Sequence, residues 1–277
     1  KAKFVMEVRD LWPEAILALG KVNRKNPVIK ALLFLEKFLY RKASQIVILG
    51  DNMEPYICGR RISKSKLVWI PNGVDLSRFE RCSSQTTFGK GLRIMYLGAF
   101  SETNPLDILL QAAKLLQDKG YMDIRFILVG DGPTKESLVR LTKSLGLKNV
   151  EFRGAVPKNS VPQVLQEADA LVLTKHPTFA AYSGSILKLF DYMAVAKPVI
   201  FSGEATYNPI EKSGCGLTVR PGDHQALMEA IIQLYEMSPE ERAEMGKRGR
   251  EYVEKYHDIR KLAAQLESVL QSVLSGG

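Results

Sequence analysis

From Leu92 onward the chain alternates short, largely apolar runs, within which apolar and polar residues do not alternate, with longer stretches whose apolar positions recur every three to four residues. The short runs predict strands at Leu92–Leu97, Ile124–Val129, Val150–Phe152, Ala170–Leu173, Pro198–Phe201 and Cys215–Val219. The periodic stretches predict helices at Pro105–Lys119, Thr134–Leu145, Ser160–Glu167, Ser185–Ala194, Asp223–Glu236 and Pro239–Tyr256. Strands apolar on both faces belong to a sheet covered on both sides, so this region reads as a doubly wound parallel α/β unit.

The first third reads differently. A short strand within Lys1–Asp10 is followed by a helix entry at Asp10-Leu-Trp-Pro-Glu14, then by strands at Ala43–Leu49 and Lys66–Ile70. Between them residues 28–42 form an apolar helix whose Ile29, Leu32, Leu33, Leu35, Phe38 and Leu39 cover more than one face, as in a core, interface or membrane-surface helix. A buried-looking strand at residue 4 with no sequence before it predicts a fragment, and residues 1–80 look too helical to complete a sheet alone. The polar, aperiodic stretch Ser83–Gly91 marks a boundary between a partial N-terminal unit, 1–82, and a second unit, 83–258.

Charge sharpens this division. The 277 residues carry a net +9, and residues 1–90 hold 17 Lys+Arg against 8 Asp+Glu, which accounts for the whole excess. Such a segment can face an anionic lipid, an acidic small molecule or nucleic acid. It lacks interleaved aromatic platforms, which argues against nucleic acid. No apolar stretch is long enough to span a bilayer. Three widely spaced cysteines, Cys58, Cys82 and Cys215, form neither a disulfide framework nor a zinc pattern and fit a reducing compartment.

Candidate chemistry falls at the carboxyl ends of the predicted strands, where open parallel sheets bind ligands. Gly98 and Ala99 follow the first strand of the second unit, Gly130 and Gly132 the second, Phe152, Arg153 and Gly154 the third, and Lys175 the fourth. Glycines there would let backbone amides approach a phosphate. The turns match neither the dinucleotide fingerprint nor the Walker loop. Ser183, Gly184, Ser185, Ile186 and Leu187 open the next helix, offering amides and hydroxyls to a diphosphate. Lys188 stands in its first turn, unfavourable for the helix dipole unless an anion offsets it. Asp191, three residues on and on the same face, could accept two hydrogen bonds from a ribose diol or simply pair with Lys188.

These residues resemble the nucleotide-binding domain of retaining GT-B glycosyltransferases of the GT4 family. The matching phrases are Ile70-Pro-Asn-Gly-Val-Asp75 with Phe79, Gly98 after a strand, Gly130-Asp-Gly-Pro133, Phe152-Arg-Gly154, Ala168-Asp-Ala170, Leu189-Phe-Asp-Tyr-Met-Ala194 and Lys197-Pro-Val-Ile200. The phrase Asp10–Glu14 resembles a bacterial branch that builds capsule, O-antigen or other exopolysaccharide. The resemblance implies a GT-B fold with one complete Rossmann-like domain plus the remnant of a second, and a last helix, 259–277, crossing back to the first domain. It implies transfer of a sugar, such as an N-acetylhexosamine, from a UDP-sugar to a lipid-linked or glycan acceptor with retention. No cofactor is implied, and no metal is needed at the diphosphate.

By the same resemblance, Asp191 falls where the family holds the ribose and the backbone at Phe152–Gly154 where it holds the base. Three departures stand out. Ser183 replaces the first glutamate of the family's paired acidic motif, and Ala99 and Asn104 replace the Arg and Lys that face the leaving diphosphate. Lys188 then becomes the best remaining cation, followed by Lys175. Of the histidines, His176 lies on the rim, while His224 and His257 read as surface positions on helical stretches. A non-catalytic nucleotide-sugar-binding protein of the same fold and a UDP-sugar epimerase are the alternatives. The implied location is cytoplasmic, either free or peripheral at the inner membrane face through residues 1–90, with residues 28–42 as the candidate anchor.

Overall fold

A computed structural model describes residues 2–18, 22–50, 52–79, 91–176, 187–205 and 207–275. The sequence boundary at 82–83 and the positions Ser183, Gly184, Ser185 and Ile186 lie outside the described residues, as does Cys82. Two parallel sheets are present. The first comprises β1 (Val5–Val8), β2 (Gln45–Ile48) and β3 (Leu67–Trp69) in that order. Residues 2–79 therefore do form a sheet, although a small one. Its connections are α1 (Glu14–Ala18), α2 (Pro27–Lys42) and α3 (Met53–Gly59).

The second sheet has six strands: β4 (Leu92–Leu97), β5 (Ile124–Val129), β6 (Val150–Arg153), β7 (Ala170–Thr174), β8 (Val199–Ser202) and β9 (Gly216–Val219). Their spatial order is β6-β5-β4-β7-β8-β9, all parallel. The alternation seen in the sequence is realised by α4 (Asp107–Asp118), α5 (Lys135–Ser144), α6 (Val161–Gln166), α7 (Leu187–Ala194), α8 (Pro209–Ser213), α9 (His224–Glu236) and α10 (Pro239–Tyr256). Alternate residues of β4, β5, β7 and β8 feed two separate cores. Ile94, Tyr96, Val172 and Ile200 pack with α4 and α9. Met95, Leu171, Leu173 and Phe201 pack with α7 and α10. Burial on both faces is what the non-alternating apolar runs require. The order reverses between β4 and β7, the point at whose carboxyl ends open parallel sheets bind ligands.

The final helix, α11 (Ile259–Ser275), packs on the first sheet rather than the second. Leu262 joins Val47 and Ile70, with Leu266 and Val269 beside Val5 and Val68. The junction is held by His257, the C-cap of α10, where surface exposure was expected. His257 is fully buried. Its Nδ1 lies 2.8 Å from the Asn72 carbonyl, its Nε2 2.8 Å from the Tyr207 hydroxyl, and its ring stacks on Phe190 at 4.0 Å. Burial pushes the imidazole down to about 4, so it is neutral at physiological pH. Its own carbonyl accepts from the Val74 amide at 2.8 Å, and the Val74 carbonyl accepts from Ile259 at 3.2 Å. The Pro-Asn-Gly-Val segment is thus fastened to the break between the last two helices. His224, half-buried, opens α9.

Helix α2 starts where Asn26 accepts from the Val28 amide and Pro27 occupies the first turn, and it ends in Arg41 and Lys42, which suit the negative end of its dipole. Its buried face carries Ile29, Glu36 and Tyr40, whereas Val28, Leu32, Phe34, Leu35 and Phe38 are exposed. Phe34 is 73% exposed. Glu36 is tolerated inside because Tyr56 donates to it at 2.9 Å and the Arg60 guanidinium lies 3.4 Å away, with Arg60 also 3.3 Å from Glu14.

Candidate functional site

The rim is built by the loops that leave β4, β5 and β7. The first two continue side by side after the strands end: Gly98 donates to the Val129 carbonyl and Phe100 to the Asp131 carbonyl, both at 2.9 Å. This close approach is what the glycines serve. A Cβ on Gly130, whose φ is +145°, would stand 1.9 Å from the Gly98 carbonyl oxygen. A Cβ on Gly98 itself (φ +156°) would stand 2.2 Å from the Lys188 Nζ. The glycines read from sequence as openings for a phosphate are thus, in the folded chain, the places where two loops and a lysine side chain fit together.

Lys188, in the first turn of α7, extends across the top of β4. Its Nζ donates to the Tyr96 hydroxyl at 3.0 Å and sits 4.8 Å from the centre of that ring. Tyr96 in turn donates to the Ala99 carbonyl at 2.8 Å, and burial pushes its phenol well above the usual range. Tyr96 is a site residue the sequence reading missed, although a tyrosine near the carboxyl end of a mostly apolar strand was the available signal. Burial, with the positive charge of Lys175 added, pushes the Lys188 ammonium down to about 8. Lys175, following β7, is also lowered by burial. Neither ammonium takes part in an ion pair among the described residues.

Lys188 and Asp191 do not pair. Asp191 has no hydrogen-bond or ion-pair partner among the described residues, and burial raises its carboxyl above the usual range. The positive charges acting against that rise belong to Arg78 and Lys158, not to Lys188. The two residues share a helix but look toward different neighbours. Leu187 is exposed at the start of α7.

The remaining positions are arranged as follows. Ala99 is exposed on the rim. Asn104 is buried and turned inward, donating to Ser101 Oγ at 3.0 Å and to the Ala99 carbonyl at 3.3 Å, so it closes its own loop. Asp131 accepts from the Gly132 amide at 2.8 Å. Phe152 packs edge-on against Phe100 at 6.3 Å. The Arg153 side chain is held by Glu151 at 2.7 Å and Glu167 at 2.6 Å, which raise it above its ordinary value. It lines a cavity of about 430 Å³ along the edge strand, together with Arg93, Arg125 and Lys148. Only its backbone belongs to the rim, where its carbonyl accepts from Gly130 at 3.2 Å. His176 is exposed, and its amide donates to the Thr103 carbonyl. Two further hydroxyls were missed: Thr174 and Ser202, fully buried and opposite each other at the ends of β7 and β8, have no side-chain hydrogen-bond partner among the described residues. Among the described residues no group of three His, Cys, Asp or Glu could hold a metal, and no helix is long and apolar enough to cross a membrane.

The sequence and the fold have known relatives. The chain is similar to the putative colanic acid biosynthesis glycosyltransferase WcaL of Escherichia coli, 25% identical over 243 residues that make up 85% of this chain and 58% of that protein. It is 32% identical to the D-rhamnosyltransferase WbpZ of Pseudomonas aeruginosa over 155 residues, 55% of this chain and 38% of that one. The chain spans about 58–60% of the length of the curated relatives it matches over most of its own length. In fold, it superposes on Anabaena HepE, solved with UDP, with a TM-score of 0.75 at 18% identity, covering 98% of this chain and 72% of that one. It superposes on WaaG, a glycosyltransferase involved in lipopolysaccharide biosynthesis, with a TM-score of 0.73 at 16% identity, covering 95% and 74%. The family described as glycosyl transferases group 1 matches residues 91–237, which carry β4 to β9 and all of the rim described above. Over more than half its length, then, this chain is a member of the group 1 glycosyl transferases, with a GT-B type arrangement of two parallel sheets of which the first is small.

Proposed function

We propose that the crevice above β4 and β7 binds a nucleoside-diphosphate sugar, and that the protein transfers the sugar to an acceptor hydroxyl with retention of configuration. The observation that carries this reading is the pair Lys175 and Lys188. Burial lowers both half-buried ammonium groups, the charge of Lys175 adds to the lowering of Lys188, and neither faces a carboxylate among the described residues. Such a pair is costly unless an anion joins it. A diphosphate fits the chemistry, and the position beside Gly98 puts Lys188 over the loop where Ala99 and Asn104 supply no charge.

In the transfer, the bond from the anomeric carbon to the diphosphate oxygen breaks and a bond to the acceptor oxygen forms. The acceptor proton leaves on the departing phosphate. Charge therefore grows on the diphosphate in the transition state, and a cation already fixed there, Lys188, stabilises it most at that moment. Asp191 takes the ribose, the backbone of Phe152–Gly154 the base, and Gly98, Ala99, Gly130 and Gly132 shape the wall. The leading donor is a UDP-sugar, supported by the UDP in the HepE structure of like fold.

The acceptor side is assigned to residues 1–82, with α11 returning to it. A glycan or lipid-linked acceptor at an anionic membrane surface is supported by the exposed Val28, Leu32, Phe34, Leu35 and Phe38 of α2, flanked by Lys30, Lys37, Arg41 and Lys42. The reading is tested by calorimetric titration with UDP, GDP and ADP of the wild-type chain, Lys188→Ala and Asp191→Ala. Binding of one nucleotide that weakens in both variants supports it. Binding of none, or binding indifferent to both substitutions, overturns it.

A further inference from the structure

The edge of the second sheet carries a cavity that the nucleotide reading leaves unused. It measures about 430 Å³, within the range that holds small molecules, and it lies where β6 ends the sheet. Arg93, Arg125 and Ile127 line it from one face of β4 and β5, and Glu151 and Arg153 from the same face of β6. On this face α6 is only six residues long, and Arg125 and Glu151 are exposed.

The two ends of the cavity differ in charge. Toward the carboxyl ends of the strands, Arg153 is shared between Glu151 at 2.7 Å and Glu167 at 2.6 Å, one cation against two carboxylates. Toward the amino ends stand Arg125 and Lys148. Arg125 is the register partner of Arg93 on the neighbouring strand, a like-charge juxtaposition that is unfavourable unless counter-charge is supplied. Arg93 receives it from Asp169, through contacts of 3.0 and 2.8 Å. Arg125 and Lys148 have no hydrogen-bond or ion-pair partner among the described residues. The carboxylates that could serve them are engaged: Glu151 and Glu167 by Arg153, Asp169 by Arg93, and Asp123 by the Tyr235 hydroxyl.

Acceptors are available in the same lining. A carboxylate has about four lone-pair sites, and Arg153 does not fill those of Glu151 and Glu167. Asn149 donates its Nδ2 to the Ile124 carbonyl at 2.7 Å, which leaves its Oδ1 buried without a partner. Asn149 and Glu151 are two residues apart along an extended strand, about 7 Å. The cavity thus offers two uncompensated cations at one end and hydrogen-bond acceptors within a sugar's length of them.

We propose that this cavity is a second ligand site, separate from the crevice, for a phosphorylated sugar: Arg125 and Lys148 hold the phosphate, and the sugar hydroxyls donate to Glu151, Glu167 and Asn149. The guanidinium fork and the ammonium suit a phosphate dianion, and the carboxylates suit a polyol. A neutral sugar would leave both cations uncompensated. A nucleotide finds no platform for its base, because Phe126, the aromatic residue of the lining, is buried in the core on the other face of the sheet.

The test is calorimetric titration of the whole chain at low salt with glucose 6-phosphate, inorganic phosphate and glucose, each with and without saturating UDP. Glucose 6-phosphate is expected to bind at least about threefold more tightly than inorganic phosphate, and glucose not at all. Arg125→Gln combined with Lys148→Gln weakens both phosphate probes by at least about tenfold, whereas Lys188→Met and saturating UDP leave them unchanged. Both replaced side chains are exposed, and if the double variant does not fold, Lys148→Glu alone, outside any helix or strand, gives the same direction of loss.

No binding of glucose 6-phosphate at millimolar concentration overturns the proposal, as does binding that survives the double substitution or is displaced by UDP. Inorganic phosphate bound as tightly as the sugar phosphate overturns the assignment of the hydroxyls, and with it the phosphorylated sugar as the ligand. The readout does not require that UDP bind, so failure of this site and failure of the nucleotide crevice are told apart.

Discussion

Replacing Lys188 with methionine should change stability and ligand binding in opposite directions. The side chain keeps its length and most of its apolar stem, but the ammonium leaves the crevice. An ordinary lysine value of 10.5 brought down to about 8 corresponds to ~3 kcal/mol of unfavourable burial at neutral pH, before discount. Partial solvent access and the lost bond to Tyr96 reduce the expected gain on substitution to ~1 kcal/mol. The pH dependence follows from the sign of the shift. Below about 8 both the folded and unfolded chains carry the proton, and the full penalty is present. Between about 8 and 10.5 the unfolded chain holds more protons than the folded one, so wild-type stability rises with pH through this window. Lys188→Met loses that component of the rise. Urea unfolding at pH 7 and at about pH 9.5 measures both effects. In the same preparation, removing a charge-assisted contact to a diphosphate weakens UDP binding by ~2 kcal/mol, roughly thirtyfold in Kd. A variant less stable than the wild type at pH 7, with UDP affinity retained, would refute the reasoning.

Three other outcomes follow from the same geometry. Gly130→Ala puts a Cβ 1.9 Å from the Gly98 carbonyl at a φ of +145°, so it should cost at least ~2 kcal/mol in denaturant unfolding and separate the two rim loops. Ala99→Arg, at an exposed position beside Lys188, should be tolerated in stability and should tighten UDP binding several-fold, a change calorimetry detects and that vanishes at high salt. Phe34→Ser with Phe38→Ser on α2 should lower co-sedimentation with vesicles containing anionic phospholipid by roughly tenfold without altering the melting temperature downward, because both rings are exposed. Wild-type protein that stays in the supernatant at low salt removes the membrane assignment.

The sequence showed where strands and helices lie because this sheet is buried on both faces. Runs such as Ile124–Val129 cannot satisfy that burial with an alternating pattern, and their limits were legible almost to the residue. Directions were harder. A helical wheel places Lys188 and Asp191 on one side, but Tyr96 and the space over Gly98 draw the lysine across β4, and those belong to a strand 92 residues away. His257 looked like a surface residue because it ends a charged helix. Its burial depends on the Pro-Asn-Gly-Val segment and α11 closing over it, which are tertiary events. Helix α2 was visibly apolar on two faces. Which face is buried was not legible, since the buried one carries Glu36 and the partners that neutralise it, Tyr56 and Arg60, sit on and just after another helix. The rim glycines were found for one reason and are needed for another: they permit loop-to-loop approach as well as any ligand.

On the proposed reading, a nucleoside diphosphate sits between Lys188 and Asp191 above β4 and β7. A crystal structure of the chain soaked with UDP tests it most directly. The expected result is diphosphate oxygens within hydrogen-bonding distance of Lys188 Nζ and ribose hydroxyls on the Asp191 carboxylate. A nucleotide bound instead along the edge strand, in the cavity lined by Arg125, Lys148 and Arg153, would contradict it.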